Sequence, residues 1–293
     1  MRRLILIIVC LFSLFCKGQT NNFLNTTNGS QNKENERVAL LMVHFGTTYD
    51  NTRALTIDAI NSKVKQIFKN ADVFEAYTSR IVIKRLKERG IIKQTPIEVL
   101  LRLKSEGYTR VIVQGTHIIN GIEHELLQKE VEQVRPFFDD IRLGNPLLNN
   151  LTDSKRIIDI LTQRHTANEK KREHVVFVGH GTTSPSTAIY SQIDYMLKAN
   201  GYTNYHVGTI EGYPTYDTVL KQLKESKAKS VLLIPFMFVA GDHATNDISV
   251  DWKNSLEEEN IHVLLKIEGL GQIPEIQDII IEHIRESMKS DPK

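Results

Sequence analysis

From residue 37 onward one pattern repeats: short apolar, β-prone runs alternate with longer amphipathic stretches of helical period. Strands are expected at VALLMVHF (38–45), ADVFEAY (71–77), RVIVQGT (110–116) and DIRLG (140–144), with helices over about 50–69, 79–89, 95–106 and 122–136. The pattern then restarts with strands at HVVFVGH (174–180), YHVGTIE (205–211), SVLLIPFMFVA (230–240) and HVLLKIEG (262–269). Helices in this second set fall near 152–165, 187–200, 215–226, 247–259 and 275–289. Thr95-Pro96 ahead of IEVLLRLKSEG, closed by Gly107, has the start and stop chemistry of a capped helix. Strand–helix alternation of this kind calls for parallel sheets covered by helices on both faces, an α/β fold.

The two sets also resemble each other in detail. LLMVHFGTT (40–48) parallels VVFVGHGTT (175–183), and VIVQGTHIINGIEHE (111–125) parallels LLIPFMFVAGDHATND (232–247). An internal duplication follows: two similar doubly wound parallel-sheet domains, 37–150 and 151–293, facing each other across a cleft.

Three strand ends in the second half carry chemistry. His180 lies between Gly179 and Gly181, His243 follows the most apolar strand, and Glu211 closes the strand between them in sequence. Parallel topology delivers such ends to one edge of a sheet, where open α/β folds place their ligands. Two imidazoles and a carboxylate suit a divalent metal or proton transfer. Each residue alone also has an ordinary structural role: His180 as a strand-end hydrogen-bonding group, Asp242 as a solvated residue or an orienter of His243, Asn246 or Asp247 as a helix cap. In the first half His44, at the equivalent strand end, should face the same cleft; His117 precedes the IINGIEHE loop and His124 mirrors His243. Tyr213 adds an aromatic surface. There is no G-x-S-x-G elbow, no phosphate-binding G-x-x-x-x-G-K-[ST] loop and no H-E-x-x-H, so no nucleotide cofactor is expected.

Composition changes the picture in two places. Arg2 and Arg3 account for the whole formal charge of +2, so the remainder is balanced and gives no reason to expect nucleic acid as a partner. The same arginines precede LILIIVCLFSLF (4–15), an apolar stretch too short for a mature membrane span, which reads as an export signal over 1–18. Cys16 fits the acylated first residue of a lipoprotein, or Cys16 and Gly18 the small residues before an ordinary cut; the polar 19–36 is a flexible tether. The expected location is periplasmic or anchored at the outer membrane. Both cysteines, Cys10 and Cys16, fall in this leader, so the folded part has no disulfide and no thiolate ligand.

FGTTYDNTR (45–53), YTSRIVIKRLKERG (77–90), THIINGIEHE (116–125), FVGHGT (177–182), VGTIEGYP (207–214), FVAGDHATNDI (238–248), DWK (251–253) and GLGQIPEI (269–276) together resemble the ATP-independent CbiK-type cobaltochelatases. These insert Co²⁺ into sirohydrochlorin within a wider group of class II tetrapyrrole chelatases. The resemblance implies two βα domains around a cleft, metal-site histidines at His180 and His243, and a nearby glutamate at Glu211. Family members commonly carry a small residue where this chain has His44, and a further histidine where it has Ser184 and Pro185.

Two readings follow from the chain as a whole. The first is a tetrapyrrole metallochelatase that takes Co²⁺ or Fe²⁺ as substrate. The second is an exported haem-binding lipoprotein for iron uptake, able to strip iron from haem, in which an extra histidine such as His44 or His117 ligates the haem. An outer-membrane haem or iron transporter and a second copy of the chain are the candidate protein partners.

Overall fold

The structure is a computed structural model and describes residues 37–289. The expected leader and tether lie outside the described residues. Strands β1 (Val38–His44), β2 (Ala71–Tyr77), β3 (Arg110–Gly115) and β4 (Asp140–Leu143) form one parallel sheet in the order β2-β1-β3-β4. Strands β5 (Glu173–Gly181), β6 (Tyr205–Glu211), β7 (Ser230–Pro235) and β8 (His262–Leu265) form a second in the order β6-β5-β7-β8. All eight expected strands are present. β7 is shorter than expected: it leaves the ladder at Pro235, and the apolar residues after it line a cleft instead of continuing the sheet.

Burial is layered as a parallel sheet requires. On one face of the first sheet Ala39, Leu41, Val43, Val111 and Val113 pack on α4 (Pro96–Ser105) and α5 (Ile122–Val134). On one face of the second, Val176, Val178, Val231 and Leu233 pack on Val219, Leu223, Ile248 and Trp252. The other faces of both sheets meet in one shared core. Leu40, Met42 and Ile112 from the first join Val175, Phe177 and Ile234 from the second, with α6 (Leu151–Arg164) and α10 (Pro274–Lys289) between them. Although last in sequence, α10 lies against the first sheet: Arg142 of β4 donates to the Ser287 and Met288 carbonyls at its carboxyl end, 3.0 and 3.1 Å away.

Two helices carry a wider, π-helical stretch. After β1 the helix runs as α1 (Asp50–Arg53), the π-helical Ala54–Asp58 and α2 (Ala59–Ile67). After β7 a π-helical Ala244–Trp252 leads into α9 (Lys253–Glu258), so this helix begins earlier than the expected residue 247.

At the opposite end of the second sheet, His174 and His206 start β5 and β6, stacked with Nδ1 and Nε2 2.9 Å apart. Both are nearly inaccessible, and burial pulls the imidazole pKa of His174 down and that of His206 down to about 3. Burial likewise lowers His165 to about 4.

Two outcomes follow from this architecture. His165 and His206 bind protons in the unfolded chain below about pH 6.5 but in the fold only near pH 4 and pH 3. Stability is therefore full above pH 6.5 and falls as pH drops from 6.5 towards 4; a denaturation midpoint that stays flat between pH 7 and 5 would contradict it. The second concerns Gly181, whose φ is +84° and whose added Cβ would sit 1.4 Å from the Glu211 carbonyl oxygen. Gly107→Ala, at φ +87° in open space, should cost about 1 kcal/mol, roughly 2–4 °C in Tm. Gly181→Ala should lower Tm by at least about twice that; equal shifts in the two variants would show that the close approach carries no cost.

Candidate active site

In each sheet the central strands run to helices on opposite sides, and the crevice opens where they part, between β1 and β3 and between β5 and β7. The two crevices face a common cleft of about 510 Å³. Its wall from the second half includes His180, Glu211, Met237 and His243; its wall from the first includes Phe45, Ser79, His117, Glu123 and His124.

His180 is the penultimate residue of β5, just before Gly181 bends the chain away at positive φ. Its ring and that of His243 meet edge to face, with centroids 4.5 Å apart and planes at 85°. Each imidazole is held by its Nδ1. That of His180 is 3.0 Å from the Gly181 carbonyl, which can only accept, so Nδ1 carries the proton. That of His243 is 2.6 Å from the Asp247 carboxylate, one turn along the helix. Both contacts leave Nε2 without a hydrogen-bond partner among the described residues, the arrangement in which a second partner orients a metal-binding histidine. Asp247 is thus the orienting group that the sequence left as a helix cap. Asp242 instead reaches across the cleft mouth to Arg85 of α3 (Arg80–Glu88), Nη1 to Oδ2 2.7 Å.

Glu211 closes β6 beside Gly181 in the strand register and lines the same cleft. Among the described residues no three His, Cys, Asp or Glu side chains converge as a ready-made metal cage. The arrangement is therefore an open histidine pair with a carboxylate on the adjoining strand.

His117 and His124 also line the cleft, with rings 5.7 Å apart at 78°. Neither nitrogen of His117, nor Nδ1 of His124, has a protein partner among the described residues. Burial holds the two rings neutral, lowering His117 to about 3 and His124 to about 4.

Two expected residues are elsewhere. His44 is fully buried and does not line the cleft. Side chains alternate across a strand, and His44 continues the row of Leu40 and Met42 into the shared core. There its Nε2 bonds the Asn61 carbonyl oxygen and its Nδ1 the Thr116 hydroxyl, each at 3.0 Å, while Asn61 donates to Glu75. Burial lowers its pKa to about 4, and both nitrogens are occupied, so it offers nothing to a ligand. Tyr213 is 53% exposed and lies outside the cleft lining, because the turn at Gly212, with φ +114°, carries the chain past the wall.

Strand register matches the two halves residue by residue. Val43 faces Gly115 as Val178 faces Pro235, and the Thr116 and Phe236 amides donate to the Val43 and Val178 carbonyls. Glu125 to Gly121 repeats Thr245 to Gly241. The counterpart of His180 is therefore Phe45, that of Glu211 is Ser79, and that of His243 is Glu123 rather than His124. Gly179 stands where the first half has His44, and the Tyr190 ring fills the space beside it.

The cobalt chelatase (CbiK) family model matches residues 38–289 of this chain. A sirohydrochlorin cobaltochelatase of Salmonella typhimurium is 35% identical over 255 residues, covering 85% of this chain and 96% of that protein. Sirohydrochlorin cobaltochelatase CbiKC of Nitratidesulfovibrio vulgaris is 30% identical over 251 residues, covering 84% and 88%. Among solved structures, SirB from Bacillus subtilis with Fe³⁺ superposes with a TM-score of 0.62 at 15% identity, covering 86% of this chain and 96% of that one, a likeness of fold. A match across the whole folded part and this level of identity give one conclusion: the chain belongs to the cobalt chelatase (CbiK) family.

Proposed function

We propose that this chain is an ATP-independent tetrapyrrole metallochelatase that inserts Co²⁺ or Fe²⁺ into sirohydrochlorin or a related porphyrin. The observation that carries the reading is the His180–His243 pair, with both Nδ1 atoms tethered and both Nε2 atoms free in a cleft between two halves. Neutral imidazole is a good ligand for these first-row divalent ions. Two protein ligands hold the ion while leaving coordination positions for the macrocycle nitrogens, which a closed cage would block. Insertion forms four metal–nitrogen bonds, breaks the two metal–imidazole bonds and releases two pyrrole N–H protons. In this reading Glu211, on the strand beside His180 and lining the same wall, accepts one of the two protons, and water in the cleft takes the other. Family membership supports the same reaction, since the named relatives are sirohydrochlorin cobaltochelatases.

The leader extends the proposal to location. Arg2-Arg3, the apolar stretch 4–15 and Cys16 support an exported, lipid-anchored protein in the periplasm or at the outer membrane.

Three measurements test these statements. The His180→Ala, His243→Ala double variant should lose Co²⁺ insertion, followed anaerobically by absorbance, by at least about a hundredfold while keeping its fold; an unchanged rate would eliminate the metal role of the pair. Asp247→Ala should weaken Co²⁺ affinity roughly 10–100-fold, because the ring it orients is released; wild-type affinity would assign Asp247 to helix capping alone. For location, the full chain expressed in a Gram-negative host should fractionate with membranes and Cys16→Ser should release it to the soluble fraction; the same distribution for both would refute acylation.

A further inference from the structure

The cleft carries little positive charge for a family that handles polyanionic rings. Among its lining residues the one Lys or Arg is Arg85, set against Glu123, Glu211 and Asp242. Arg85 is already committed, its guanidinium 2.7 Å from the Asp242 carboxylate. Counted over the Lys, Arg, Asp and Glu side chains of the lining, one guanidinium faces three carboxylates. Of the arginines nearby, Arg53 pairs with Asp50 and Asp58, and Arg89 with Asp50. Beside hydroxyl and imidazole groups, the walls carry hydrocarbon and aromatic side chains. Ile81, Ile122, Phe45 and Tyr49 line the cleft yet stay 66%, 46%, 40% and 38% exposed. Large apolar side chains left open together around a cavity mark a surface meant to be covered by an apolar ligand.

Sirohydrochlorin is an octacarboxylate, with charged arms on every edge of the ring. Recognition of such a ligand calls for several guanidinium or ammonium groups at the rim. A porphyrin with its carboxylates on one edge can instead turn that edge to solvent and bury the hydrocarbon edge against the isoleucines. We infer that this cleft accepts a macrocycle with a mostly hydrocarbon rim and few carboxylates in preference to an octacarboxylate. The inference rests on the chelatase reading for its ligand class, and it narrows the substrate beyond what the relatives' names convey.

The test uses the full chain with two probes, deuteroporphyrin as the dicarboxylate and uroporphyrin as the octacarboxylate. Binding is read by fluorescence quenching at low and high ionic strength, and Co²⁺ insertion into each ring by anaerobic absorbance. Deuteroporphyrin should bind at least tenfold more tightly. Uroporphyrin binding should strengthen with added salt, because screening relieves repulsion, and an Ile81→Lys, Ile122→Lys variant should narrow the gap at least threefold. Uroporphyrin binding as tight as deuteroporphyrin, uroporphyrin binding that weakens with salt, or no binding of either probe would overturn the inference. The two proposals fail separately. Equal affinities with Co²⁺ entering both rings would sink the rim preference and spare the chelatase. A deuteroporphyrin preference without metallation of either ring would do the reverse.

Discussion

The order of strands decides where chemistry is available in this molecule. In an arrangement β6-β5-β7-β8, the chain leaves β5 towards one side and β7 towards the other. The gap between their carboxyl ends opens onto the cleft. His180 and His243 emerge on either side of that gap, close enough for their rings to touch. Everything proposed for the site depends on this divergence: strands ordered consecutively would send both loops over the same edge. The first sheet obeys the same rule, so two gaps face one another and create the cleft.

Much of this was legible in the sequence because parallel strands buried on both faces leave an almost continuous apolar signal. Such runs locate an element well and orient it poorly. His44 illustrates the loss: LLMVHFGTT aligned with VVFVGHGTT puts Phe45, not His44, opposite His180, and one residue of offset moves a side chain to the other face of the sheet. The same single step separates Glu123 from His124 as the counterpart of His243. Asp247 was hidden differently. The i,i+4 spacing to His243 was readable, but only once the helix is known to start before residue 247, and its π-helical opening has no simple composition signal. Tyr213 was misplaced because a sequence shows that Gly212 permits a turn without showing where the turn leads.

The two halves share a scaffold and differ in the surfaces they present. Positive-φ Gly46 and Gly181, the paired threonines after them and the strand-end amide contacts recur in both halves. At three other matching positions the side chains that face the cleft differ. One half presents imidazole, carboxylate and imidazole, the other phenyl, hydroxyl and carboxylate at matching positions. Backbone geometry and cleft chemistry thus answer to separate demands, and the second can change while the first stays fixed.

The last helix, α10, crosses from the second half to lie on the first sheet, held by Arg142 and by Ile276, Ile280 and Ile284 in the shared core. Its placement makes the molecule a poor candidate for simple shuffling. A chimera joined near residue 150 would dock a foreign helix on a native sheet, and a proteolytic nick at the same point would leave the fragments clasped together.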